Sequence, residues 1–125
     1  MFIQRDVAHV SLNPRTIPED IVLSGQPEIS GKILSVSEDK CCARVAWRMT
    51  AGAVKMSGVD PSTSDVMYIL EGGVELHVAG EDPVVAKAGD WIECPRTDFE
   101  LHVPEVLHKI SVIHNPNGLS MEPEQ

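Results

Sequence analysis

Short apolar runs, rich in Val and Ile and broken by turn residues, set the pattern of this chain. The stretch Val74-Glu75-Leu76-His77-Val78 alternates apolar and polar side chains one for one, the period of a strand with one buried face. Asn13-Pro14, Gln26-Pro27, Asp60-Pro61, Gly72-Gly73, Asp82-Pro83, Val103-Pro104 and Asn115-Pro116-Asn117-Gly118 punctuate the runs. Such regular punctuation marks a β-sandwich or barrel. The pattern predicts strands over 2–10, 32–36, 42–49, 53–57, 65–70, 74–79, 83–86, 91–94, 98–103 and 106–114, with at most one helical turn near 18–23. Glu71-Gly72-Gly73 falls where a tight hairpin needs positive φ, a conformation that glycine adopts without steric cost. The polar, proline-bearing tail over 120–125 is expected to fray.

At 125 residues the chain is expected to form one domain, and a domain of this size buries roughly two-thirds of its unfolded surface without needing staples. Ten Lys and Arg against nineteen Asp and Glu leave a net charge of -9, and the basic residues are scattered. A phosphate backbone would find no cationic face, so nucleic acid is not an expected partner. The three cysteines Cys41, Cys42 and Cys94 make no disulfide framework and no CxxC spacing, and they read as reduced thiols. The N-terminus lacks a cationic patch followed by a long apolar run, and no stretch approaches the length of a membrane span. The expectation is a soluble cytoplasmic protein with no membrane partner.

The spacing of these residues resembles the two sequence motifs of the cupin superfamily. Gly52, five residues, Gly58-Val59-Asp60, four residues, Asp65, six residues and Gly72 keep the spacing of the first motif. Gly89, five residues, Pro95, then Thr97, Glu100 and Pro104 keep the register of the second. More narrowly, Trp47 with Thr50-Ala51-Gly52, Asp65 with the run 67–72, Ala88-Gly89-Asp90 and the run 105–109 are similar to the subgroup that includes the ethanolamine-utilisation and ureidoglycine-type cupins. The match covers about 42–114. The resemblance implies an all-β, single-domain jelly-roll barrel: residues 1–41 complete the barrel or a dimer interface, 42–114 form the core, and 115–125 form a tail. It also implies a homodimer. Metal-binding cupins supply three imidazoles and a carboxylate from four of these positions, which here are Gly58, Asp60, Asp65 and Glu100. With no imidazole among them, a metal cofactor is not expected.

Alternation places Met56, Gly58 and Asp60 on one face and Asp65, Met67 and Ile69 on another facing the same interior, and the resemblance adds Glu100 and His102. Carboxylates converging in a partly apolar cavity cannot all stay charged cheaply, which suits acid/base chemistry. The expected catalytic residues are therefore Asp60, Asp65, Glu100 and His102, with Trp47, Met56, Met67 and Lys109 binding the ligand. The expected function is small-molecule binding with metal-independent isomerase, lyase or cyclase chemistry. A ligand sensor without turnover is the alternative, and a carboxylate-rich replacement metal site is a third reading.

Plainer roles stand beside each of these residues. Asp60 before Pro61 is a turn pairing, and Asp65 can satisfy the turn over 62–64. Glu100 and His102 face water if Phe99, Leu101 and Val103 fill the core. His77 reads as a solvated surface residue, Trp47 and Trp91 as packing, and Cys94 as a small buried hydrophobe.

Overall fold

The computed structural model describes residues Met1–Glu124. Eight strands follow in chain order: β1 (Asn13–Arg15), β2 (Val22–Gly25), β3 (Ile29–Val36), β4 (Cys42–Met56), β5 (Ser64–His77), β6 (Val84–Lys87), β7 (Trp91–Glu93) and β8 (Phe99–His114). They join in one antiparallel sheet in the order β1-β3-β4-β8-β5-β6, with β2 paired to β4 and β7 paired to β5.

The three longest strands, β4, β5 and β8, each merge two of the short runs predicted from the sequence. What reads as a turn between the runs is a bend within a continuous ladder. The β4–β8 register shifts between Thr50 and Gly52, and the β5–β8 register shifts between Ile69 and Glu71 and again between Gly72 and Glu75. Bulges of this kind bend a strand sharply without breaking its pairing. They also change which residues face inward. On β5 the buried side chains are Met67 and Ile69 before the bend and Val74 and Leu76 after it; on β4 they are Ala43, Ala46 and Met49 before and Ala53 and Val54 after. On β8 the odd-numbered Phe99, Leu101, Val103, Leu107, Lys109 and Ser111 are buried, interrupted at the bend by exposed Glu105 and joined after it by His108. The larger apolar side chains among these form one core cluster, each contributing about 1.5–3 kcal/mol on full burial.

Gly72 has φ 78, and a Cβ there would stand 1.8 Å from the main-chain oxygen of Val106. It is the point at which β5 presses against the bend of β8, and so it closes a strand bend, not the tight hairpin that the Glu71-Gly72-Gly73 run suggests.

Both chain ends differ from the sequence pattern. Residues 2–10 form no strand; they hold a single 3-10 turn at Val7–His9, closed by Asp6 at φ 51 and a 2.8 Å bond between His9 Nδ1 and Asp6 Oδ1. That local closure competes with extension, and the sheet takes Asn13–Arg15 as its edge instead. A second 3-10 turn, Glu19–Ile21, lies where one helical turn is expected. The tail is tied down through Glu124, whose N–H donates to Ile33 O (2.9 Å) and whose carboxylate accepts from Ile33 N (3.0 Å) and Arg15 Nη1 (2.9 Å). The Arg15 hydrogen bonds, with that of Ile33 N, hold the Glu124 carboxyl down to about 2. Residue 125 of the tail lies outside the described residues. No helix among the described residues is long and apolar enough to cross a membrane.

Gly72→Ala combines left-handed backbone with a clash against main chain, so its cost should be on the order of 3 kcal/mol or more. Urea denaturation of the variant measures this, and a loss within about 0.5 kcal/mol, as for an ordinary surface substitution, would contradict the close approach at the β5 bend.

Candidate functional site

One end of the barrel interior gathers polar side chains because they are ladder partners. Lys109 on β8 pairs with Trp47 on β4 and Ile69 on β5, while Met67 pairs with Ser111 and Asp65 with Ile113. Lys109 is 7% exposed, its Nζ donates to Ser111 Oγ at 2.5 Å, and it lies 4.7 Å from the centroid of the Trp47 ring. Burial pushes its pKa down, opposed by the negative charge of Asp65. Among the described residues the ammonium uses one of its three donors on a side chain. Asp65 keeps a buried Oδ1 with no hydrogen-bond partner. Its main-chain oxygen accepts from Cys94 N at 2.9 Å, which draws Cys94 into the same region. Burial first, and then the charge of Asp65, push the Cys94 thiol up to about 12, so it stays protonated at neutral pH and is no nucleophile. A cavity of about 450 Å³ adjoins this cluster, bounded by Met56, Val59, Thr63, Asp65, Cys94 and Phe99 among others.

The structure thus brings Asp65, Trp47, Met56, Met67 and Lys109 to the interior. It does not bring Asp60 there. Asp60 is exposed in the turn after β4, where Oδ1 accepts from Ser62 N (2.8 Å), the main-chain oxygen from Thr63 N (2.9 Å) and Oδ2 from Asn115 Nδ2 (3.0 Å). It shapes an Asx turn and pins it to the end of β8.

Glu100 and His102 project from the outer face of the sheet, not into the cavity. Phe99, Leu101 and Val103 are 8%, 3% and 4% exposed, and a strand that buries those three must turn the residues between them outward. The ladder fixes this phase by setting Met56 opposite Phe99 and Lys55 opposite Glu100. The four positions that the cupin resemblance marks for metal therefore do not converge. Gly58 offers no side chain, Asp60 sits in the turn, and Glu100 faces away from Asp65, so these four positions together do not form a metal site.

On the outer face, Glu100 and His102 have partners that the single-strand pattern does not reveal. Glu75-Leu76-His77 and Glu100-Leu101-His102 are the same tripeptide, and the β5–β8 ladder sets Glu75 opposite His102 and His77 opposite Glu100. Each histidine Nε2 meets the glutamate of its own strand, at 2.7 Å for His77 and Glu75 and 2.8 Å for His102 and Glu100. The two rings stack with centroids 4.0 Å apart and planes at 29°. The repeated Glu-Leu-His was the available signal. Its meaning depends on which strands pair, and that is invisible along one run.

No protein-family model matches the chain, and no curated protein sequence matches it. Solved structures do. The EutQ protein of Clostridium difficile is 17% identical with TM-score 0.63, over 78% of this chain and 69% of that one. A predicted oxalate decarboxylase from Thermotoga maritima is 18% identical with TM-score 0.64, over 92% of this chain and 99% of that one. The cupin domain of Schizosaccharomyces pombe Cnp3 is 13% identical with TM-score 0.62, over 92% and 75%. Identities this low speak to architecture and not to chemistry. The single antiparallel sheet bent through β4, β5 and β8, together with these likenesses, shows that the chain folds as an all-β cupin jelly roll.

Proposed function

We propose that the barrel interior binds a small polar metabolite and performs acid/base chemistry on it through Asp65 and Lys109. One observation carries this reading: half-buried Asp65 turns an unpartnered buried oxygen toward the interior at the edge of a cavity, and buried Lys109, behind it on β8, has one side-chain acceptor among the described residues for its three donors. A buried polar atom left unsatisfied costs about 1–3 kcal/mol, more if charged, and such groups cluster where a ligand completes them. A ligand with an anionic or carbonyl oxygen for Lys109 and a hydroxyl or amine donor for Asp65 supplies both needs. Trp47 backs the lysine, Met56, Val59 and Phe99 give the cavity apolar walls, and Met67 packs in the core behind it.

In this reading Asp65 takes a proton from a substrate carbon or hydroxyl, and the Lys109 ammonium hydrogen-bonds the oxygen on which negative charge develops. Asp65 then returns the proton to a different atom, so an isomerisation or cyclisation balances without oxidant or reductant. The steps of this reading draw on Asp65 and Lys109 and route nothing through a metal. Binding without conversion is the second reading, and the two part at Asp65.

The depressed pKa of Lys109 makes a stability prediction. Its folded value lies below the ordinary 10.5, so between the two the unfolded chain binds more protons and stability rises with pH. Lys109→Met removes this dependence. Measured by urea denaturation, the stability of Lys109→Met relative to wild type should be most favourable at low pH and should decline as pH rises toward 10.5. A difference that does not change with pH would show that Lys109 is solvated.

Ligand-detected NMR with a panel of small keto, hydroxy and amino acids tests the site itself. Compounds carrying a carboxylate should bind, and Lys109→Met should weaken them at least about tenfold. For any compound that is converted, Asp65→Asn should retain binding and lose at least about a hundredfold in kcat. Unchanged binding in Lys109→Met overturns the site; unchanged turnover in Asp65→Asn removes Asp65 from the chemistry.

A further inference from the structure

The outer-face cluster plays no part in the interior chemistry, and its donor set is of a different kind. We infer that His77, His102 and Glu100 bind one divalent transition-metal ion of the zinc class, with Glu75 orienting His77. One ligand atom from each of His77, Glu100 and His102 lies within 4.8 Å of the others. Around a tetrahedral ion with bonds of about 2.0–2.2 Å, ligand atoms stand about 3.4 Å apart. The 2.8 Å separation of His102 Nε2 from Glu100 Oε1 is shorter than that value, and all the separations, those to His77 included, stay within 4.8 Å. Side-chain rotations that open the short His102–Glu100 contact complete the shell.

Three features favour an ion over a pair of ordinary surface contacts. The four side chains stand on directly paired residues of β5 and β8, two long strands of a continuous sheet, so their Cα positions are fixed before any ion arrives. Two imidazoles stack side by side, and the two carboxylates beside them supply the charge that a dication neutralises. Glu75 accepts from His77 Nε2 and leaves Nδ1 as that ring's ligand atom, the carboxylate–histidine arrangement that steadies metal ligands. Two nitrogens and one carboxylate oxygen select zinc, nickel or copper over magnesium or calcium.

The side chains are between 34% and 43% exposed, so an ion can reach them. A groove of about 520 Å³ adjoins His77 and His102, bounded on its apolar side by Ala53, Val85, Val103 and Pro104. Three protein ligands beside an open groove leave a coordination position for water or for an oxygen of a small molecule.

Calorimetric titration of chelator-treated protein with zinc chloride tests this, with magnesium chloride as the contrast. One zinc should bind per chain with a Kd of about a micromolar or tighter, and magnesium should give no saturable heat. His77→Ala and His102→Ala should each weaken zinc at least about tenfold, Glu75→Gln should weaken it by about tenfold, and a Cys41→Ser/Cys42→Ser double variant should leave it unchanged. In wild-type protein, zinc should shift the imidazole nitrogen resonances of His77 and His102, a readout that does not depend on any variant folding. Absence of saturable binding, binding that survives both histidine substitutions, loss of binding in the cysteine variant, or unmoved His77 and His102 resonances would each overturn the site.

Discussion

Everything in this fold depends on the phase of β8. It is paired along its length to β4 on one side and β5 on the other, so it cannot slip by one residue without moving both neighbours. Burial of Phe99, Leu101, Val103 and Leu107 sets that phase, and β4 and β5 bend and shift register to follow it. A slip of one position would exchange Lys109 for a neighbour in the interior and drive Glu100 and His102 into the core, leaving ionisable groups buried without partners.

That phase separates two chemistries by a single sheet. Inward, few polar groups are present and each is poorly satisfied: Lys109 leans on Ser111 and the Trp47 face, Asp65 keeps an unpartnered oxygen, and Cys94 is locked as a thiol. Low polarity makes each of these groups sensitive to whatever enters the cavity. Outward, imidazoles and carboxylates satisfy one another within reach of water. The first environment favours proton transfer with a bound organic molecule, and the second favours a soft dication.

Much of the fold is legible in the sequence, because period-two alternation and turn residues are local signals. The exceptions have physical causes. Ala51-Gly52, Gly72-Gly73 and Val103-Pro104 look like loops, yet a bulge lets the ladder continue through each. Residues 2–10 are read as a strand but close on the Asp6–His9 bond, and the tail looks free until Glu124 meets Arg15. At the site, Asp65, Met56 and Met67 fall inside the barrel as their alternation suggests, and the β4–β8 pairing carries Trp47 and Lys109 there with them. Motif spacing counts residues along the chain and says nothing of strand phase, so Asp60, Glu100 and His102 fall elsewhere. The repeated Glu-Leu-His gains meaning only when β5 and β8 lie side by side.

The central claim is that Lys109 is a buried amine within the field of the Asp65 charge and short of partners. Carbon-13 NMR of lysine-labelled protein across a pH titration reads it directly. The Lys109 Cε resonance should titrate well below the ordinary lysine value of 10.5 and apart from the other lysines, and Asp65→Asn should lower it further by removing the charge that opposes the effect of burial. Titration of Lys109 together with the other lysines near 10.5, unmoved by Asp65→Asn, would contradict it.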